Sequence, residues 1–167
     1  MPEEKKANKN HSLDNLRYIA DMALEQIKRL DAASDSVDSK AGILLGFTAI
    51  LVTITLGSST PNLNSPLQLL LSYTGTAAFF ASIILNILAI HPRVMRFDPK
   101  LKTLVEKYIS EPPRDTLASV SANLADAWEH NHLVLESKVK RLKWALWLVV
   151  VGIFLLIVDV LVVAPMS

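Results

Sequence analysis

Residues 41–90 decide the fold: AGILLGFTAILVTITLG (41–57), SSTPNLNSP (58–66) and LQLLLSYTGTAAFFASIILNILAI (67–90) contain no Asp, Glu, Lys or Arg. At roughly 1.5 Å rise per residue, a helix of either apolar block approximates the roughly 30 Å hydrocarbon core of a bilayer. The break between them concentrates Pro, Asn and Ser, which end one helix and begin another. The stretch therefore reads as a transmembrane hairpin, spans 41–57 and 67–90.

Outward from the hairpin, one further block matches it: WALWLVVVGIFLLIVDVLVVA (144–164). Across 167 residues the chain is 51% hydrophobic with a mean hydropathy of +0.33, yet 20% of it is charged. Those charges lie almost wholly outside the three blocks, a segregation that a soluble core does not produce. About forty polar residues precede the first block, which argues against a cleaved signal peptide. Seven of the 17 Lys and Arg residues lie before Ala41 and the other ten between Arg93 and Lys143, with none in the hairpin loop or in 165–167. Basic residues stay on the cytoplasmic side, so the N-terminus is expected inside and the C-terminus outside. There is no cysteine and so no disulfide.

The flanking segments also read as helical. Between Leu13 and Ala41 there is no Pro or Gly, Ser12 can cap the start, and Leu13, Leu16, Ala20, Ala23, Ile27, Leu30 and Val37 recur at three- and four-residue spacing. This predicts an amphipathic helix over 12–40 that runs into the first span, after a structureless tail, 1–11. In the cytoplasmic region 91–143, His91-Pro92 ends the second span, a short helix is expected over Pro99–Ile109, and Glu111-Pro112-Pro113 breaks it. From Asp115 a long helix carries Leu117, Leu124, Trp128, Leu135, Val139 and Leu142 as one stripe into the third span. The expected class is all-α: an integral membrane protein with three transmembrane helices, whose long helices extend into a cytoplasmic helical bundle.

No catalytic kit is visible: no Cys, no Gly-rich phosphate loop, no HExxH and no nucleophile elbow, so no enzyme, metal or cofactor is expected. Glu129-His130-Asn131-His132 is the nearest approach to a metal pattern, but a carboxylate-bridged site needs a second Glu-x-x-His; the stretch reads as a polar face. Asp159 is the only ionisable residue within a span, expected at interfacial water or as a helix-contact or pore residue. Asn86, in the second span, seeks a partner helix. Gly42 and Gly46 form a GxxxG pair, and Ser72, Gly75, Ser82 and Asn86 give the second span a small or polar face, both suited to packing within one chain or between copies. Asp38 and Lys40 crowd the mouth of the first span, where Lys40 either snorkels to lipid phosphate or joins a buried polar network. Arg93 and Arg96 complete a basic rim suited to anionic lipid or a phosphate ligand.

An amphipathic helix, the run Val37-Asp38-Ser39-Lys40-Ala41-Gly42 opening a transmembrane hairpin, a basic linker and a long helix into a last span resemble the transmembrane effector family of Pycsar, the bacterial anti-phage system that signals with cyclic pyrimidine nucleotides. The resemblance extends from about residue 15 onward. It implies a membrane effector that works with a nucleotide cyclase, senses cyclic CMP or cyclic UMP, and damages the inner membrane before phage mature. Asp38 and Lys40 carry over as motif residues without an assigned role, and any nucleotide site is expected in the helical bundle. Asp38, Lys40, Arg93 and Arg96 are the ligand-coupling candidates; Gly42, Gly46, Asn86 and Asp159 are the packing or pore candidates. Too few polar faces exist for one copy to line a water path, so a homo-oligomer is expected, with membrane lipids as partners and no nucleic acid. A non-pore-forming scaffold and a channel subunit are the alternatives.

Overall fold

The computed structural model describes the backbone of residues 2–58, 66–91, 95–96 and 112–163, with side chains over 14–57, 66–91, 95–96 and 112–161. Three helices account for nearly all of them: α1 (Pro2–Ser58), α2 (Pro66–Ile90) and α3 (Pro113–Val163). No strand occurs among the described residues. All three helices are long and apolar enough to cross a membrane, so the all-helical membrane class read from the sequence holds. The amphipathic segment 12–40 and the block 41–57 fall on the one helix α1. The tail expected over 1–11 precedes the first described side chain, Asp14, and the helix expected over Pro99–Ile109 lies outside the described residues.

The helix boundaries follow local chemistry. Pro66 and Pro113 each occupy a first helical position, where the missing N–H would have had no intrahelical partner. The carbonyl of Pro112 accepts from the amides of Asp115 and Thr116 at 3.0 and 3.1 Å, starting α3 with an acid in its first turn. At the end of α2 the amide of His91 still reaches Ile87 O at 2.9 Å, and Pro92, which has no N–H, cannot extend the ladder.

The chain divides into two compact units, Met1–Ser34 with Arg93–Glu136, and Asp35–Pro92 with Ser137–Ser167. In the first, polar unit, Ile27, Leu124 and Ala127 form the core, with Ala20, Ala23 and Val120 packed against it. The alanines let α1 and α3 approach closely. The stripe expected on α3 is partly corrected here: Trp128 is 36% exposed and, in the second unit, Val139 is 45% exposed, while Ser121, Ala127, Asn131 and Lys138 are buried. Small side chains, and polar ones that find partners, occupy positions that a purely apolar pattern misses.

In the second, apolar unit, Val52, Phe79 and Val149 form the core, with Leu44, Leu51, Ile83, Ile153 and Leu156 around it. Helix α2 runs opposite to α3: Leu88 meets Arg141, Ser82 meets Ala145 and Gly75 meets Gly152. Thr48, Thr55, Ser82 and Asn86 are buried, whereas Ile43, Ile50, Ile54, Leu70, Ile84, Phe154 and Leu161 are exposed. Water would penalise such an exterior heavily; hydrocarbon does not. The buried hydroxyls stay satisfied in their own helices, Thr48 Oγ1 donating to Leu44 O at 2.7 Å and Thr55 Oγ1 to Leu51 O at 2.8 Å.

Candidate functional site

In the apolar unit, one ion pair joins α1 to α3 near the start of that unit's share of each. Lys138 Nζ donates to Oδ1 and Oδ2 of Asp38, both at 2.8 Å. The lysine side chain is 5% exposed and the aspartate 33%. A nearly buried ammonium is tolerable only with such a partner, because desolvation of a lone charge costs several kcal/mol. Lys40, two residues beyond Asp38, is exposed and takes no part in this pair. Lys138 was absent from the residues singled out in the sequence. It was detectable only as a cation on the same spacing as Asn131, Val134, Leu142 and Ala145, the seam that α3 buries.

A second contact in the same unit fixes α2. Ser82 Oγ donates across to Ala145 O at 2.9 Å, and Asn86 Nδ2 reaches Ser82 O at 3.1 Å and Ser82 Oγ at 3.4 Å. Asn86 is fully buried, and its Oδ1 has no hydrogen-bond partner among the described residues. At the end of α2, Arg141 Nη1 donates to Leu88 O at 2.7 Å, one of the carbonyls the last turn leaves open. A guanidinium there also opposes the negative end of the helix dipole.

Of the remaining candidates in this unit, Gly42 and Gly46 are exposed, and a Cβ built on either meets nothing within 4 Å. Neither glycine packs against another helix among the described residues. Gly152 differs: a Cβ there would lie 2.6 Å from the buried ring of Phe79. Asp159 is half-buried with Oδ1 unpartnered among the described residues. Arg93 lies outside the described residues.

In the polar unit, Asn131 is fully buried and pairs with both backbone groups of Arg96: Oδ1 accepts from Arg96 N and Nδ2 donates to Arg96 O, each at 2.9 Å. The side-chain amide thus substitutes for a neighbouring strand and anchors the connector after α2 to α3. What the structure shows for Arg96 is this backbone clamp; its side chain is exposed. The Trp128 and His132 rings stack with centroids 5.1 Å apart and planes 8° from parallel, beside a shallow cleft of about 200 Å³ lined by Ala23, Gln26, Ala125 and Trp128. Among the described residues, no group of His, Asp and Glu is arranged to hold a metal.

Comparison with known proteins adds one decisive match: the family model described as the Pycsar effector protein domain aligns with residues 22–164, which contain the parallel helices, the hairpin and the Asp38–Lys138 pair. No curated protein and no solved structure matches the chain. With the match covering most of the sequence, and three membrane-spanning helices to carry it, the chain belongs to the Pycsar transmembrane effector family.

Proposed function

We propose that the protein responds to a cyclic pyrimidine nucleotide, cyclic CMP or cyclic UMP made by a partner nucleotide cyclase, by rearranging as a homo-oligomer and breaching the bacterial inner membrane, so that infected cells stop growing. Its N-terminus is cytoplasmic and its C-terminus outside, as the basic residues dictate. It performs no catalysis; the ligand acts by binding.

The observation that carries this reading is the bidentate Asp38–Lys138 pair, which ties α1 to α3 at the start of the apolar unit. Both helices continue from the polar unit into the apolar one as unbroken helix. A nucleotide that favours a different packing of the polar unit can therefore act on the same two helices that the pair holds. Such a ligand shifts the balance only as far as its affinities for the two states differ. One copy encloses no path for water, since Thr48, Phe79, Ser82, Asn86 and Ala145 close the interior at 0% exposure. Several copies are needed, and the unoccupied Gly42–Gly46 face supplies a close-approach surface for them.

Dye release from liposomes holding the full-length protein, with cyclic CMP, cyclic UMP, cyclic AMP or no nucleotide, tests this reading. Release is expected with a pyrimidine cyclic nucleotide only. Intact vesicles under every condition, with insertion verified, would replace it by a scaffold that recruits a partner and forms no pore.

A further inference from the structure

Within the apolar unit, α1 and α3 leave an open groove of about 360 Å³ along one side, lined by Lys40, Ile43, Leu44, Phe47, Leu142 and Leu146. Five of these six are aliphatic or aromatic, and Ile43, Phe47 and Leu146 are 72, 47 and 52% exposed. The sixth, Lys40, stands at the end where α1 enters its apolar block. Its ammonium has no ion-pair partner among the described residues, because the nearby Asp38 is engaged by Lys138.

We propose that this groove binds one anionic phospholipid of the cytoplasmic leaflet, an acyl chain lying along Ile43, Leu44, Phe47, Leu142 and Leu146 and the phosphate pairing with Lys40. The charge complementarity is specific: a hydrocarbon-lined channel with a single cation at its headgroup end fits an amphiphile with one anionic end. Trp144, 59% exposed and two residues beyond Leu142, supports the depth, since interfacial tryptophans sit at headgroup level. Among the described residues that line the groove, Lys40 alone could hold a free phosphate, so the apolar walls favour lipid.

A second copy of the chain is the competing occupant, and the helix geometry separates the two. At about 100° per residue, the groove positions of α1 centre roughly 130° around the helix from Gly42 and Gly46, with Lys40, Leu44 and Phe47 each about 100° or more from either glycine and Ile43 at the near edge, about 60° from Gly46. Copies packed through the glycines leave the Lys40, Leu44 and Phe47 side of the groove facing lipid. Lipid retention is read without any nucleotide, so the proposal stands or falls separately from the nucleotide response.

Native mass spectrometry of the full-length protein, released from detergent after equilibration with equal amounts of dioleoylphosphatidylglycerol and dioleoylphosphatidylethanolamine, tests it. One phosphatidylglycerol should be retained preferentially. Lys40→Gln should lower that preference about fivefold, the factor for one basic residue at an anionic surface, while Lys40→Arg and Lys143→Gln keep it. Leu146→Trp, which fills the groove, should remove the bound lipid of either kind. Equal retention of both lipids by the wild type, equal losses in Lys40→Gln and Lys143→Gln, or ready disulfide-linked dimers of Phe47→Cys would overturn the proposal, the last by assigning the groove to a second copy.

Discussion

Lys138 Nζ sits 2.8 Å from each carboxylate oxygen of Asp38, yet the two partners are unequally buried, the lysine side chain 5% exposed and the aspartate 33%. That inequality predicts unequal mutants. Asp38→Asn takes the negative charge from beside a nearly buried ammonium, and removing one partner of a buried pair costs up to about 3–5 kcal/mol. Lys138→Met leaves a carboxylate that already reaches solvent and fills the vacated space with apolar atoms, so it should cost clearly less. Thermal unfolding in detergent checks this: the Asp38→Asn chain should melt lower than Lys138→Met, and the reversed order would refute the burial argument.

Gly152 predicts a different kind of sensitivity. A methyl group there would sit 2.6 to 2.9 Å from three atoms of the Phe79 ring, which is fully buried and has nowhere to retreat. At Gly75 the same methyl meets its neighbours at 3.5 to 3.8 Å, ordinary contact. Gly152→Ala should therefore destabilise by about 1–3 kcal/mol, the range for overpacking, while Gly75→Ala stays near wild type. Adding Phe79→Leu to Gly152→Ala should recover part of the loss, measured by the same unfolding assay; no recovery would mean that the ring is not the obstacle.

The hairpin was legible because it rests on composition: fifty residues without a charge allow one environment. The seam of α1 was legible too, since Ile27 and Val37 are buried at the spacing read from the chain. What sequence could not supply was partnership. Asp38 stood out locally, but its cation lies a hundred residues later, and only parallel packing of α1 and α3 brings it near. On α3 the apolar pattern pointed to Trp128 and Val139, while the buried face went to Asn131 and Lys138, whose polar atoms are satisfied by partners no spacing rule can name.

Asn131 offers a test of the polar unit by a change of very few atoms. Its amide both accepts from Arg96 N and donates to Arg96 O. Asn131→Asp keeps the first bond and turns the second into a carboxylate facing a carbonyl inside a fully buried site. Leaving such a group unsatisfied costs about 1–3 kcal/mol, more when it is charged. Asp should therefore be worse than Ala at this position, although Asp is closer in shape. Limited proteolysis at the connector around Arg96 should rank the chains wild type, Ala, Asp in rising susceptibility, and a rate for Asp below that for Ala would show that the clamp is not what holds the connector.

Gly42 and Gly46 allow association to be separated from folding. Nothing within 4 Å of either glycine would be disturbed by a side chain, so Gly42→Leu and Gly46→Leu should leave the unfolding temperature of the isolated chain unchanged. If copies approach through this face, the same substitutions hold the helix backbones apart and remove the close packing on which association in lipid depends. Crosslinking in liposomes should then show a shift from oligomer to monomer, and dye release should fall with it. Oligomers that persist in the double substitution would move the contact to another face of the apolar unit. Loss of dye release with the oligomer intact would instead give the glycines a role in the open state alone.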